Sequence, residues 1–164
     1  MLGDPLNKHL CLLFLCSGNY YRSRFAELLF NRLVEDANLP WRARSRGLIV
    51  DRISHNIGPM STHTIAALQT RQIVVPKPLR FPQQLQEQDL TAAHMVIALK
   101  ELEHRPMLTE RFPHWTDRVD YWHIDDVDCA TAETALALLE QQVMQLIKRL
   151  AQYDHHTQKK PQGW

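Results

Sequence analysis

Short, continuous apolar runs alternate along the chain with stretches in which apolar residues recur every three or four positions. The run at residues 9–15 (HLCLLFL) is followed at once by a turn-forming Ser-Gly-Asn sequence. An uninterrupted apolar run of this length is typical of a strand that is buried on both faces of a parallel sheet. Further strands are predicted at residues 42–47, 94–99 and 119–124.

A helical pattern follows each predicted strand. After the first strand, a helix is predicted that Ser23 caps and that ends at the Asn38-Leu39-Pro40 sequence. Other helices are predicted at residues 61–70, 101–108 and 131–150, and the last has the clearest periodicity. Strands that alternate with helices predict an α/β fold. We therefore expect a small single-domain parallel sheet of about four strands with helices on both faces.

Composition adds limits to this fold. Residues 1–8 are predicted to form a flexible leader and residues 152–164 a disordered tail, which leaves a domain at 9–151. Hydrophobic residues make up 45% of the chain and charged residues 23%, as is ordinary for soluble globular proteins. No apolar run reaches the roughly 18 residues of a membrane span, and the N-terminus lacks the features of a signal peptide. We expect a cytoplasmic protein with no membrane partner.

Charge and cysteine content exclude other classes. The net charge is +1 with acids and bases interspersed, which argues against a nucleic-acid partner. The three cysteines form no CxxC pair, so a reducing compartment is expected rather than a disulfide framework. The histidines are scattered without ligand spacing, and no metal site is predicted.

The segment CSGNYYRS joins the first predicted strand to the first predicted helix. Backbone N–H groups at such a junction can converge on an anion, and the helix N-terminus adds positive potential. Gly18 and Asn19 tolerate the positive φ that a loop around a tetrahedral anion often requires. Arg22 carries a planar guanidinium that can hold two oxygens at once. A phosphate-binding loop is therefore predicted after the first strand, formed by Ser17, Gly18, Asn19, Tyr20, Tyr21, Arg22 and Ser23.

Cys16 is the predicted nucleophile of this loop. A thiolate is favoured at a helix N-terminus beside a cation, and Ser23 can donate a hydrogen bond to it. A buried structural cysteine, a chance arginine and a helix cap are the alternative interpretation. Because the C-x5-R-S spacing coincides with a strand–loop–helix junction, position and chemistry agree and favour the functional interpretation.

The stretch LLFLCSGNYYRSRFAELLF resembles the opening of the low-molecular-weight protein tyrosine phosphatases. Their pattern is an apolar strand, then C-x-G-N-x-x-R-S, then a helix containing Ala-Glu. The matching residues are Cys16, Gly18, Asn19, Arg22, Ser23, Ala26 and Glu27. Weaker similarities at residues 45–47 and 56–60 extend the resemblance over roughly residues 9–150. The resemblance implies a cysteine-dependent phosphatase that needs no cofactor.

A second functional group is expected in the acidic sequence after the last predicted strand. Ligands of open parallel sheets bind beyond the carboxyl ends of the strands, so Asp126 and Cys16 are expected at the same edge. In the family, a late strand runs into an Asp-Pro pair whose aspartate is the general acid, which implies this role for Asp126. Val127 replaces the proline, and Asp125 or Asp128 remain alternatives to Asp126.

Several residues depart from the family pattern around the predicted substrate pocket. Tyr20 lies where tyrosine-specific members have an aliphatic residue and arginine-phosphate-specific members a threonine. Tyr21 replaces a second cysteine that can protect the nucleophile in many relatives. His55 stands where an aromatic residue often stacks on the substrate, and Leu99-Lys100 replaces a Met-Asp pair. The resemblance therefore predicts the catalytic centre better than the substrate.

The resulting hypothesis is a hydrolase in which Cys16, Arg22 and Asp126 are catalytic and a phosphocysteine is the intermediate. Its substrates are phosphorylated proteins, with phosphotyrosine as the expected residue, or small phosphate esters. A catalytically weak phosphoprotein-binding module and a thiol-dependent arsenate reductase are the alternatives. The reductase requires resolving cysteines, and residues 83–90 contain none; Cys129, which is expected to be a small residue at a helix start, would have to substitute.

Overall fold

The computed structural model describes residues 8–126 and 131–158, and in this part of the chain it contains one four-stranded parallel sheet. The strands are β1 (Leu10–Cys16), β2 (Trp41–Gly47), β3 (Met95–Ala98) and β4 (Asp120–Tyr121). Their order across the sheet is β2-β1-β3-β4. The predicted α/β fold with about four parallel strands is confirmed.

Strand β1 is central and is buried on both faces. Leu12, Phe14 and Cys16 face one core cluster, whereas Leu13 and Leu15 face the other. Successive side chains of a strand point to opposite faces, so a strand between two cores must be apolar at every position. This explains the uninterrupted apolar run in the sequence.

Helices cover both faces of the sheet, as predicted. The described helices are α1 (Arg22–Asp36), α2 (Thr62–Thr70), α3 (Glu87–Ala92), α4 (Glu101–Arg111) and α5 (Ala132–Gln158). Helices α1, α2 and α5 pack against one another on one face, and α3 and α4 contribute to the core of the other face. None of the helices in the described ranges is long and apolar enough to cross a membrane.

Ser23 does not cap α1, contrary to the prediction. The helix begins at Arg22, and the residue at its N-cap position, Tyr21, makes no side-chain capping bond. The Ser23 hydroxyl lies instead 2.8 Å from Cys16 Sγ. Ser23 therefore lies in the first turn of α1, and its hydroxyl is directed toward Cys16 rather than toward the N–H groups at the helix end.

The ends of two other elements also differ from their predicted positions. Helix α5 continues to Gln158, so the predicted disordered tail at 152–164 begins too early. Tyr153 and Asp154, in the added part of the helix, line a cavity at the amino ends of the strands. Strand β4 is only Asp120–Tyr121 rather than 119–124. Residues 1–7 and 159–164, the rest of the predicted leader and tail, lie outside the described residues.

Candidate active site

The loop between β1 and α1 forms one wall of a cavity of about 530 Å³ at the carboxyl edge of the sheet. Cys16 ends β1 and Arg22 begins α1, so five residues connect a central strand to a helix N-terminus. Asn19 in this loop has a φ of 50°, in the left-handed region that asparagine tolerates better than most residues. Cys16, Arg22 and Asp126 all line the cavity.

Cys16 is 3% exposed, and its sulfur faces the hydroxyl of Ser23 at 2.8 Å. Asn19 Nδ2 donates to the same hydroxyl oxygen at 2.9 Å. Because Ser23 Oγ accepts from Asn19, its own hydrogen is available to the sulfur of Cys16. A thiolate at this position would therefore receive a hydrogen bond from Ser23.

Asn19 is fully buried and fixes the shape of the loop. Besides Ser23, its Nδ2 donates to Ser45 Oγ at 2.9 Å. Its Oδ1 accepts from Arg80 Nη1 at 2.9 Å and from the backbone N–H of Gln83 at 3.0 Å. Four hydrogen bonds thus connect one side chain to three separate segments of the chain.

The residues that support Asn19 are themselves paired. Ser45 Oγ donates to Glu27 Oε2 at 2.9 Å, and Arg80 Nη2 lies 3.2 Å from the same oxygen. The carboxylate of Glu27 therefore neutralises Arg80 beneath the loop. Arg80 was not singled out from the sequence, because it lies in an irregular segment far from the loop.

The end of β2 supports the other side of the loop. Leu48 and Ile49 donate backbone hydrogen bonds to the carbonyls of Cys16 and Ser17 at 2.9 and 3.0 Å. A Cβ added to Gly47 would lie 2.9 Å from the carbonyl oxygen of Ser17. Only glycine permits this close approach of strand and loop.

Arg22 is 2% exposed and is held by acceptors from two directions. Its two terminal nitrogens form a two-point ion pair with Glu103, at 2.9 Å from Nη2 and 3.2 Å from Nη1. Nη1 also donates to the carbonyl of Ile124 at 3.0 Å, and Nη2 lies 3.3 Å from Asp126 Oδ2. Burial alone would lower the pKa of Arg22, but the hydrogen bond with Glu103 and the charges of Cys16 and Asp126 raise it above its ordinary value.

Glu103 and His104, in the first turns of α4, are functional candidates that the sequence did not reveal. The hydroxyl of Ser17 donates to Glu103 Oε1, and His104 Nε2 lies 3.2 Å from the same hydroxyl. Burial would raise the pKa of Glu103, but hydrogen bonds from His104, Arg22 and Ser17 hold it well below its usual range. Glu103 therefore remains ionised beside the loop.

Burial and hydrogen bonding of His104 favour the neutral form of its ring. Its side chain is fully buried, and burial followed by the charge of Arg22 lowers its pKa from the ordinary 6.5. The backbone N–H of Lys100 donates to His104 Nδ1 at 3.0 Å, so the ring hydrogen lies on Nε2. That hydrogen faces Ser17 Oγ.

The aspartates after β4 occupy different surroundings. Asp126, whose side chain is 38% exposed, lines the cavity beside Arg22. Asp125 is directed elsewhere and pairs with Lys100 Nζ. Asp128 and Cys129 lie outside the described residues, as does Val127.

Tyr20, Tyr21 and His55 differ in their relation to the cavity. The hydroxyl of Tyr20 donates to the carbonyl of Ile57 at 2.6 Å, which fixes the half-buried ring at the cavity wall. Tyr21 is 7% exposed and donates to the carbonyl of Ala132 at 3.1 Å, and burial raises its pKa to about 12. It lines the cavity while its ring packs in the core. His55 lies at the exposed rim of the cavity.

A cavity of about 690 Å³ lies near the amino ends of the strands, at the opposite end of the sheet from the loop. Trp41, Met95 and Leu150 are among its lining residues. None of its lining residues is a cysteine. Among the residues described, no group of three or more His, Cys, Asp or Glu side chains is arranged to hold a metal ion. Of these two cavities, the smaller one is lined by Cys16 and by the ion pair of Arg22 and Glu103.

Proteins of known structure share this fold. YfkJ from Bacillus subtilis superimposes with a TM-score of 0.74 at 22% identity, covering 93% of this chain and 98% of that one. A low molecular weight protein tyrosine phosphatase from T. tengcongensis has a TM-score of 0.69 at 23% identity, with coverages of 88% and 99%. YwlE arginine phosphatase from Geobacillus stearothermophilus has a TM-score of 0.65 at 24% identity, with coverages of 91% and 95%.

Sequence comparison gives a narrower result. The protein-arginine-phosphatase of Bacillus subtilis (strain 168) is 29% identical over 108 residues, which are 66% of this chain and 67% of that relative. A family model described as low molecular weight phosphotyrosine protein phosphatase matches residues 11–158. This match includes β1 from its second residue, the loop and every described α-helix. The chain is thus a hydrolase of the cysteine-based phosphatase type and belongs to the low molecular weight phosphotyrosine protein phosphatase family.

Proposed function

We propose that the protein hydrolyses phosphotyrosine in proteins by a two-step displacement with Cys16 as the nucleophile. In the first step, the thiolate of Cys16 attacks phosphorus while Arg22 and the loop amides bind the non-bridging oxygens. The phosphorus–oxygen bond to the phenolate breaks, and Asp126 protonates that oxygen. The products of this step are a free tyrosine hydroxyl and a phosphocysteine.

Water completes the reaction in the second step. Asp126, now ionised, accepts a proton from a water molecule that attacks the phosphocysteine. The sulfur–phosphorus bond breaks, inorganic phosphate forms, and Cys16 returns as the thiolate. Ser23, 2.8 Å from the sulfur, would stabilise that leaving thiolate.

The observation that carries the proposal is the common cavity of Cys16, Arg22 and Asp126. The nucleophile and the guanidinium come from one short loop, and the carboxylate of Asp126 comes from a segment 104 positions after Arg22. Asp126 Oδ2 is 3.3 Å from Arg22 Nη2, so the acid would stand beside a phosphate that Arg22 binds. This supports Asp126 in preference to Asp125, which pairs with Lys100.

Phosphoarginine in proteins is a second candidate substrate. It is favoured by the 29% identity to a protein named protein-arginine-phosphatase. Tyr20 has neither the aliphatic nor the threonine side chain that the family resemblance associates with the two specificities. Both substrates pass through the same phosphocysteine and differ only in the group that leaves.

Hydrolysis of an aryl phosphate at mildly acidic pH tests the proposed chemistry. We expect turnover by the reduced protein, no turnover by Cys16→Ser, and a loss of roughly 10²–10⁴-fold in Asp126→Asn. Asp125→Asn is the matched comparison and should retain more activity than Asp126→Asn. Phosphopeptide binding without turnover by the unaltered protein would instead indicate a binding module, and thiol-dependent consumption of arsenate would indicate a reductase.

A further inference from the structure

We propose that Glu103 is a positioning residue for this reaction: its carboxylate orients the guanidinium of Arg22 toward the phosphate-binding loop. The inference rests on the proposed function, because it concerns the same phosphate site. Glu103 itself need not touch the substrate. It acts through Arg22.

The hydrogen-bond pattern of Arg22 carries this inference. A guanidinium offers two edges that can each hold a pair of oxygens. The edge formed by Nη1 and Nη2 is occupied by the two carboxylate oxygens of Glu103, at 3.2 and 2.9 Å. A phosphate would bind along the other edge, formed by Nε and Nη2; Asp126 Oδ2 lies 3.3 Å from Nη2. A planar group held along one edge has its other edge fixed in direction.

Glu103 is itself held in one geometry. The Ser17 hydroxyl donates to its Oε1, and His104 Nε2 lies 3.5 Å from the same oxygen. Its side chain is 27% exposed, against 2% for that of Arg22. An ion pair between a nearly buried arginine and a braced carboxylate constrains orientation far more than a pair of solvated side chains does.

Loss of the Glu103 charge would have a specific consequence. Among the described residues, the other carboxylate paired with Arg22 is that of Asp126, whose Oδ2 lies 3.3 Å from Nη2. A buried guanidinium that loses its main anionic partner would turn toward this second carboxylate, because an unpaired buried charge is costly. Arg22 would then leave the phosphate position and form its main ion pair with Asp126.

The experiment compares Glu103→Gln with Glu103→Asp and with a control in the same helix, Glu101→Gln. Glu101 pairs with Arg105, 3.0 Å away on the outer side of α4, so its substitution removes the same charge from the same turn. The probe is inorganic phosphate, titrated directly by calorimetry and as a competitive inhibitor of aryl phosphate hydrolysis. The thermal unfolding midpoint of each variant is measured in parallel.

For Glu103→Gln we expect phosphate binding and kcat/KM to weaken on the order of 10- to 100-fold. Glu103→Asp keeps the charge and should recover part of the loss, whereas Glu101→Gln should match the unaltered protein. In an Arg22→Lys background, Glu103→Gln should have a much smaller effect, because two residues that act through one contact are not additive. Additive effects in that double variant would assign Glu103 a merely structural role and overturn the proposal.

Tighter phosphate binding by Glu103→Gln would also overturn it, since the carboxylate would then be a competitor for the anion site. If Glu103→Gln does not fold, Glu103→Asp and the Arg22→Lys background provide the same comparison. Calorimetric titration with phosphate needs no turnover. Absence of hydrolysis by the unaltered protein would therefore reject the proposed function and still leave the role of Glu103 measurable.

Discussion

A network of polar side chains that bind one another lies beside the sulfur of Cys16. Ser23 faces the sulfur, Asn19 holds Ser23, and Ser45 and Arg80 hold Asn19. A buried polar group that loses its partner costs about 1–3 kcal/mol, so the members of such a network stabilise each other. The conformation of the loop is therefore determined by side chains as much as by its own backbone.

Tyr20 is the residue on which substrate choice should depend. Its ring lies at the cavity wall, and its hydroxyl is fixed by the carbonyl of Ile57 at 2.6 Å. A smaller side chain at position 20 would change the shape of the cavity wall next to the leaving group. Cys16 and Arg22 would keep their positions. We expect Tyr20→Thr to shift kcat/KM toward a phosphoarginyl peptide and Tyr20→Leu toward the matched phosphotyrosyl peptide.

The measurement is the ratio of kcat/KM for the two peptides in each variant. Tyr20→Phe, which keeps the ring and loses only the hydroxyl, is the control and should change the ratio least. If both substitutions leave the ratio as it is in the unaltered protein, Tyr20 does not determine the choice of substrate.

The residues of the site differ in how far the sequence predicts them. Cys16 and Arg22 lie within one short motif, so their spacing alone indicates an anion site and a nucleophile. Glu103 is separated from Arg22 by 81 positions, and Arg80 from Asn19 by 61. No local spacing connects such residues, and only the folded sheet brings them together.

At the scale of elements, the end of β2 is hydrogen-bonded to the loop that follows β1. Gly47 pairs with Cys16 in the parallel register, and the next two residues donate hydrogen bonds to the loop. Because residue 47 is a glycine, no side chain separates the end of β2 from the loop. The strand therefore limits how far the phosphate-binding loop can move.

Gly47→Ala should displace the phosphate-binding loop, although the substitution lies outside the loop. The added Cβ would lie 2.9 Å from the Ser17 carbonyl oxygen and 3.0 Å from the Asn19 nitrogen. Because both are backbone atoms, the loop itself must shift. We expect the free energy of unfolding to fall by about 1–3 kcal/mol and kcat/KM to fall by roughly 10²-fold. Urea unfolding and aryl phosphate kinetics measure the two effects, and a variant that loses stability alone would show that the loop tolerates the shift.

The sequence predicts a helix or strand best where its apolar pattern extends over many residues. The central strand and the long last helix follow directly from their patterns. Helix α3 was missed because it has six residues, of which only Leu90 is buried, and one buried residue gives no period. Helix α4 continues through Pro106 to Arg111, although proline usually ends or bends a helix. Packing of Leu108 in the core accompanies this continuation.

At the scale of the whole molecule, the site links protonation to stability. His104 is fully buried between α4 and the loop, and its pKa is lowered in the folded state. The unfolded chain therefore binds a proton that the folded protein does not. By linkage, the free energy of unfolding rises with pH wherever the unfolded state binds more protons.

The protein should accordingly lose stability as the pH falls below about 6.5, the ordinary pKa of histidine. The contribution of His104 has a slope of at most about 1.4 kcal/mol per pH unit. Glu103, whose folded pKa lies below its usual range, adds a loss in the same direction only below about pH 4.5. We expect His104→Asn to flatten the dependence between about pH 6.5 and 5.

Urea unfolding across this pH range measures the effect. His114→Asn is the control, because His114 is exposed and should leave the slope unchanged. An equal slope in His104→Asn and the unaltered protein would mean that the buried histidine does not cause the pH dependence.

The proposed chemistry depends on the complete fold, since β1, α4 and the segment after β4 each contribute one part of the cavity.

The proposed mechanism requires Cys16 to carry the phosphoryl group during turnover. The most direct measurement is rapid acid quenching of Asp126→Asn after mixing with an aryl phosphate that has a good leaving group, followed by mass spectrometry of the peptide containing Cys16. We predict one added phosphoryl group on Cys16, absent in a Cys16→Ser/Asp126→Asn double variant. Turnover without a phosphorylated Cys16, or activity that persists in Cys16→Ser, would contradict the account.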